Sequence, residues 1–482
     1  MKKVITRFAP SPTGYIHIGN LRSAILPYLL ARQQQDGVYI LRIEDTDRAR
    51  YVEGATELIM ETLKWIGIRW DEGPDVGGPN APYFQTERMD DYRKWAQKLV
   101  DAGLAYADPR SPEEIDALRK DAEAKKVPFL IRNYRPENPP KWEMGLPLRF
   151  KQTKLEPVSW DDAVYGEMTA GPEVLDDIIL IKRDGLPTYN FGHIVDDAEM
   201  GVTHVFRGQE YLSSMPNYCT LYDALGLERP VLVHMPHILR PDGRKKLGKR
   251  DGAKSASDYR ADGILPEAML NFLACLGWND GTEQEIYSME ELVKAFSIDR
   301  IQRAGARFDE QKLLWMNGQW IRQLGLDELY KRTVEGGFWP EGADARDEDY
   351  RKQVLAIIYD RLKVLGDLRE YSAYFFADPE VDLAMITENK QLKKFSEAEL
   401  AEMLTTAREK LTDVEWTPEA LQGALNELLE MTGKKPGELF SLIRIAVSFA
   451  SFSPALDQTL AVLGREATLA RLGRVVNALQ TS

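Results

Sequence analysis

Two short groups of residues have the types and spacing for chemistry on a phosphate: His17, Gly19 and Asn20, and Lys246, Lys249 and Arg250. The first group closes the run Pro10-Ser11-Pro12-Thr13-Gly14-Tyr15-Ile16-His17-Ile18-Gly19-Asn20. Its prolines and glycines suit a tight reversal that lets a ligand approach the backbone. Free N–H groups and the positive dipole end of a helix starting there would face an anion, and His17 can add a donor. The second group lies in Lys246-Leu247-Gly248-Lys249-Arg250, between Pro241-Asp242-Gly243 and Asp251-Gly252. Flanking glycines predict a mobile loop whose lysines meet a triphosphate as its charge grows. Alone, a histidine-bearing surface loop and a solvated lysine patch are the plainer readings.

The elements that must position these groups follow from periodicity. Residues 4–8 alternate and read as a strand, and Leu21, Ile25, Leu29 and Leu30 then recur at helical spacing. A second strand over 38–43 ends in Glu44-Asp45-Thr46-Asp47, so strand, helix and strand open a parallel sheet. Ligands bind beyond the carboxyl ends of such strands, which puts residues 10–20 and 44–47 in one cleft. Arg7 and Arg42 would neutralise the acids. Helices are predicted over 51–66 and 86–102. From 108 to 184 come a charged helical patch, prolines and short β-like runs, which read as an insertion. Gly185-Leu186-Pro187-Thr188-Tyr189 then precedes Asp196-Asp197, a strand ending near Arg207, a helix over 215–225 and a strand at 231–234. Arg7, Tyr189 and Arg207 are each expected at the margin of a strand in one sheet. Past Asn317 the pattern is helical, with stripes Val354, Ile357, Ile358, Leu362, Leu365 and Leu421, Leu425, Leu428, Leu429.

Composition bounds the classes. The 482 residues are 44% hydrophobic and 29% charged, enough for several globular domains, and no run is apolar enough to span a membrane. Met1-Lys2-Lys3 running straight into a strand predicts no secretory signal. Two cysteines, Cys219 and Cys275, exclude a disulfide framework and suit a reducing cytoplasm. The net charge of −14 does not advertise nucleic acid, but residues 240–254 hold seven basic side chains against Asp242 and Asp251. Without a long apolar face, a monomer is expected.

The run ending His17-Ile18-Gly19-Asn20 resembles the HIGH signature of class I aminoacyl-tRNA synthetases, in its glutamyl and glutaminyl form. Lys246 to Arg250 resembles their KMSKS signature, and Phe308-Asp309-Glu310-Gln311-Lys312-Leu313-Leu314-Trp315-Met316-Asn317 their junction with the anticodon half. The likeness covers essentially the whole chain and is closest to the bacterial glutamyl branch. Asn20 replaces the second histidine, and Gly248 replaces a serine whose hydroxyl is then missing from the loop.

The resemblance implies an α/β fold: a Rossmann-type parallel-sheet catalytic domain in halves 1–107 and 185–320, an inserted acceptor-end-binding domain at 108–184, and an all-α anticodon-binding region at 321–482. The implied reaction joins glutamate to tRNA-Glu through a glutamyl-adenylate made from ATP with Mg²⁺. His17, Gly19, Lys246 and Lys249 would be catalytic, and His17, Gly19, Asn20, Glu210, Tyr211 and Lys249 would bind ATP. Arg7, Ala9, Ser11, Glu44, Tyr189, His193 and Arg207 fall on glutamate positions, and Arg361 and Arg444 on anticodon positions. Some relatives hold zinc with cysteines near Tyr106-Ala107-Asp108. None occurs there, so no zinc is expected. Three alternatives stay open: a glutaminyl enzyme, whose anticodon part is β-barrel and disfavoured by the helical tail; a nucleotidyltransferase acting on a small metabolite; and a silent RNA-binding relative.

Overall fold

The structure, a computed structural model, describes residues 3–14, 16, 18–248, 254–450 and 453–481. It divides into two compact units. One comprises residues 1–258 and 269–310, the other 259–268 and 311–482.

The first unit begins with β1 (Ile5–Phe8), α1 (Ile18–Arg32) and β2 (Val38–Leu41). β1 and β2 are parallel, with Arg7 opposite Ile40 and Phe8 opposite Leu41. Helix α1 buries Leu21, Ile25 and Leu29, the apolar spacing read from the sequence. At about 2 kcal/mol per fully buried leucine or isoleucine, this stripe fixes the helix on the sheet. Gly14 has φ of +117°, so the reversal between β1 and α1 passes through a conformation that favours glycine. Helices α2 (Ala55–Trp65) and α3 (Met89–Asp101) follow.

The next elements are β3 (Ala105–Ala107), α4 (Pro112–Ala124), β4 (Leu148–Phe150), β5 (Val158–Asp162), β6 (Gly166–Ala170) and β7 (Ile179–Ile181). β3, β4 and β7 form one antiparallel sheet, and β5 pairs with β6. The expected boundary between 107 and 108 therefore falls inside a hydrogen-bonded sheet. A three-residue strand is too short to show alternation. Leu148 and Leu180 of this sheet also share one buried cluster with Ile40, Phe191 and Val205.

The chain returns through α5 (Tyr189–Glu199) to β8 (His204–Gly208), α6 (Met215–Leu225) and β9 (Val231–Met235), with β8 and β9 parallel. β1 lies beside β8: Thr203 N–H donates to Ile5 O at 2.9 Å, and Ile5 N–H to Thr203 Oγ1 at 2.9 Å. The carboxyl ends of β2, β1, β8 and β9 thus line up as in a Rossmann-type sheet. Tyr189 is not at the margin of that sheet; it opens α5, just past the antiparallel sheet. Two short strands, β10 (Ile238–Leu239) and β11 (Ala306–Arg307), pair in parallel.

The second unit is helical, and its described residues contain no strand. The stripe from Val354 to Leu365 crosses two elements, because the helix Glu348–Ile358 stops before Leu362, where the backbone extends. Leu421, Leu425 and Leu428 are buried on the helix Pro418–Thr432, which Thr417 caps. The unit boundary near 311 lies earlier than the expected 320/321 junction. Residues 259–268 join this unit through contacts sequence order does not show, such as Leu265 N–H donating to Asn317 Oδ1 at 2.7 Å.

Candidate active site

A cavity of about 550 Å³ opens at the carboxyl ends of the parallel strands. Arg7, Ala9, Pro10, Ser11 and Thr13 line it from the β1 turn, and Gly19 and Asn20 from the start of α1. Glu44, Tyr189, Arg207, Glu210 and Tyr211 line it too, with Lys246, Leu247 and Gly248 on the far wall. The two phosphate-directed segments, more than 200 residues apart, therefore face one space. Glu44 N–H donates to Pro10 O at 3.0 Å, so the acidic segment and the first turn share that cleft. His17, Lys249 and Arg250 lie outside the described residues. Pro12, Gly14 and Ile18 shape the turn without lining the cavity; Pro12 O accepts from Val52 N–H at 3.0 Å.

At one end stands Arg207, buried and held by uncharged acceptors. Its Nε donates to His234 Nε2 at 3.0 Å, Nη1 to His193 Nε2 at 3.2 Å, and Nη2 to Met215 Sδ at 2.6 Å. Its guanidinium also sits over the rings of Tyr211 and Tyr218, at 5.5 and 5.0 Å. Among the described residues no carboxylate comes within ion-pair range of it, so its charge is available to an anion. His193 lies behind the cavity wall. Its Nδ1 meets Tyr189 O at 2.6 Å, and its ring stacks on Tyr189 at 4.7 Å. Burial first, then the Arg207 charge, lower its pKa to about 3, so His193 is neutral and accepts from Arg207. The structure thus makes it a support for Arg207. Tyr211 packs 4.9 Å from Tyr189, extending the aromatic wall at this end.

Arg7 is not a free cation. It forms a two-point pair with Asp197 of α5, at 3.0 and 3.2 Å, and Nη1 donates to Phe206 O at 3.1 Å. Arg42, fully buried, meets Asp197 at 2.8 Å, Glu44 at 3.1 Å and Asp196 at 3.5 Å. Arg88 holds Asp196 from the other side at 2.8 Å. Of the acids near Glu44, Asp45 accepts from Thr86 and Asp47 pairs with Arg50, so Arg7 and Arg42 serve α5 and Glu44 instead. The arginines hold the Asp197 carboxyl far below the usual range against the cost of its burial.

Glu44 behaves differently. Burial raises its pKa to about 7, although Arg42 and Arg7 oppose the rise. A carboxyl that binds its proton more tightly when folded adds stability at low pH and loses it as pH climbs from 4.5 through about 7. Glu44→Gln should therefore flatten the fall in unfolding free energy across that window, by on the order of 1–3 kcal/mol. Urea unfolding of both proteins at several pH values checks this; parallel profiles would refute it.

The other end is basic. Lys246 Nζ meets Glu210 Oε1 at 2.7 Å, and His237 stands 3.5 Å from the same carboxylate. Burial disfavours the Glu210 anion, but Lys246 outweighs it and lowers its pKa. The loop hangs from a hairpin: Leu247 N–H donates to Ile238 O at 2.8 Å, and Gly243 turns at φ of +72°. Arg22, also lining the cavity, was not expected here. Its terminal nitrogens donate to the Leu276 and Pro236 carbonyls, and its Nε has no hydrogen-bond partner among the described residues. Burial lowers its pKa to about 10, which still leaves it charged. Its sequence signal was an arginine beside Leu21 in an apolar helix.

A family model described as the catalytic domain of class I tRNA synthetases (E and Q) matches residues 3–315. The chain belongs to this family. An anticodon binding domain model matches residues 323–476 of the synthetase. A glutamate–tRNA ligase of Clostridium botulinum is 43% identical over 479 residues, covering 98% of this chain and 97% of the relative. One from Clostridium acetobutylicum is 40% identical, with coverage of 98% and 97%. The crystal structure of a glutamate tRNA ligase from Elizabethkingia meningosepticum in complex with its amino acid superposes with a TM-score of 0.88. It is 32% identical, and the match covers 99% of this chain and all of that one.

In the second unit of the synthetase, Arg361 is about half exposed at the end of a tight turn. Arg444, on the helix Pro436–Ser448, is partly buried, and its Nε has no hydrogen-bond partner among the described residues. Burial, with the Arg361 charge adding to it, lowers the Arg444 pKa, so the two arginines lie within electrostatic reach. Among the described residues no group of three or more His, Cys, Asp or Glu side chains could hold a metal ion. Among the described residues no helix is long and apolar enough to cross a membrane.

Proposed function

We propose that this synthetase activates L-glutamate with ATP and transfers it to the 3′-terminal adenosine of tRNA-Glu. The observation that carries this reading is the cavity itself. It is lined by a buried arginine that meets no carboxylate among the described residues, by Glu44 and by the described residues of both signature segments.

The side-chain carboxylate of glutamate pairs with Arg207, and its ammonium approaches Glu44, which ionises to receive it. Tyr189, Ala9 and Ser11 complete that subsite, and Arg7 holds its wall through Asp197. The α-carboxylate then lies toward the N–H groups of Gly19 and Asn20. One of its oxygens bonds to the α-phosphorus of ATP while the bond to the bridging oxygen breaks and pyrophosphate leaves. No enzyme nucleophile takes part; the chain orients the groups and stabilises charge. His17 donates to a phosphate oxygen, Lys246 and Lys249 supply positive charge along the triphosphate, with Lys246 exchanging Glu210 for phosphate, and Tyr211 and Glu210 border the nucleotide.

Mg²⁺ enters here as part of the nucleotide. The described residues offer no cluster that fits a resident ion, so no step is assigned to one. Residues 108–184 take the acceptor end and Arg361 and Arg444 the anticodon. The enzyme works as a monomer in the cytoplasm.

Glutamate-dependent ATP–pyrophosphate exchange, with and without tRNA, tests the proposal. Lys249→Ala should lower exchange by about 100-fold or more, as expected when a group acting on transition-state charge is removed. Absence of exchange by the wild-type chain in both conditions would overturn the reading, and an unchanged Lys249→Ala rate would remove that lysine from the site. Separate charging of tRNA-Glu and tRNA-Gln tests discrimination by Arg361; equal rates would exclude it.

A further inference from the structure

Arg207 meets the substrate, but its direction is set from behind. An arginine has five N–H donors. Three are spent on His234, His193 and Met215, which leaves one on each terminal nitrogen for a bidentate carboxylate. His234 can accept from Arg207 only if its own proton is on Nδ1. Asp162 enforces that arrangement: its Oδ2 lies 2.6 Å from His234 Nδ1, with both side chains fully buried. Asp162 is fixed in turn by the N–H groups of Val164, Tyr165 and His234, at 3.0, 2.9 and 3.3 Å. It belongs to β5, within the inserted segment, and the next residue, Ala163, donates to Leu232 O of β9 at 2.8 Å. The whole file is buried.

We propose that Asp162 and His234 are positioning residues for substrate specificity: through one imidazole tautomer they aim the Arg207 fork at the side-chain carboxylate of the amino acid. This rests on the function proposed above. The design follows from charge. A carboxylate in direct contact would hold Arg207 as firmly but cancel the charge the substrate needs. A neutral imidazole lone pair fixes the angle and leaves the charge in place, while Asp162 acts one ring further back.

Steady-state exchange kinetics test this in the full chain, with tRNA present. His234→Leu, which has no acceptor, should raise KM for glutamate by about 10- to 100-fold and leave KM for ATP within about twofold. His234→Gln keeps an oxygen acceptor and should recover part of the loss. Asp162→Asn lets the imidazole take the other tautomer and should resemble His234→Leu. A merely structural role would raise both KM values together and give Gln and Leu the same defect; either result overturns the proposal, as does an unchanged glutamate KM. If His234→Leu does not fold, the glutamate-to-ATP KM ratio of His234→Gln and Asp162→Asn decides. Failure of the wild-type chain to exchange would instead refute the function, so the two failures are distinguishable.

Discussion

Arg207→Gln should lower kcat/KM for glutamate by roughly 10³-fold while KM for ATP changes little. Truncating one partner of a buried, hydrogen-bonded charge pair costs about 2–5 kcal/mol. A site built to pair a polar group also loses heavily when that pairing fails. Arg207 meets both conditions, since it is buried and its fixed contacts are all neutral. Glutamine keeps the polarity but neither the charge nor the fork. Arg207→Lys should recover only a small part, because a flexible ammonium cannot present two parallel donors. The measurement is exchange rate against glutamate concentration. The wild-type glutamate KM in Arg207→Gln would remove this residue from the subsite and pass the role to Arg7. Arg7 is the weaker candidate, because Asp197 already engages it at two points.

The parts of this architecture written locally were legible in the sequence. The change from alternating to helical spacing around Pro10–Asn20 marks β1, its turn and α1. The same logic put Glu44 beyond the end of β2, and the shared cavity follows from the parallel topology. What could not be read is pairing across long separations. Arg7 finds Asp197 190 positions later, and Arg42 finds the same carboxylate 155 positions later. A hint was present: Asp196 and Asp197 stand in a helix with Phe191, Ile194 and Val195, and acids on a buried helix need buried cations. Tyr189 was misplaced for a related reason. An aromatic after a turn fits a strand end or a helix start equally well, and here it begins α5.

His193 and His234 show a second limit. The resemblance placed His193 among the ligand contacts, while His234 was read only as the end of a strand. Both instead stand behind Arg207, and only their partners, Tyr189 O for one and Asp162 for the other, reveal the lone pair each presents. Asp162 drew no notice because it comes from the inserted segment, whose strands are too short to announce their register.

The largest stability effect is expected at Arg42. Its guanidinium is fully buried and joins Glu44, Asp196 and Asp197, so Arg42→Met should destabilise the first unit by about 3–5 kcal/mol. The loss falls unevenly on the three acids. Asp197 keeps Arg7, and Asp196 keeps Arg88, Gln85 and Tyr92. Glu44 loses the side-chain donor that opposes its burial, so its pKa climbs beyond about 7. A carboxyl whose folded pKa rises further goes on losing stability to higher pH. The deficit of Arg42→Met relative to wild type should therefore be smaller at about pH 6, where Glu44 is mostly protonated in both, and grow toward about pH 8. Urea unfolding at the two pH values checks the sign. A deficit that stays flat between the two pH values would refute this and mean that Glu44 is ionised in both folded proteins throughout, with Arg42 held by the aspartates alone.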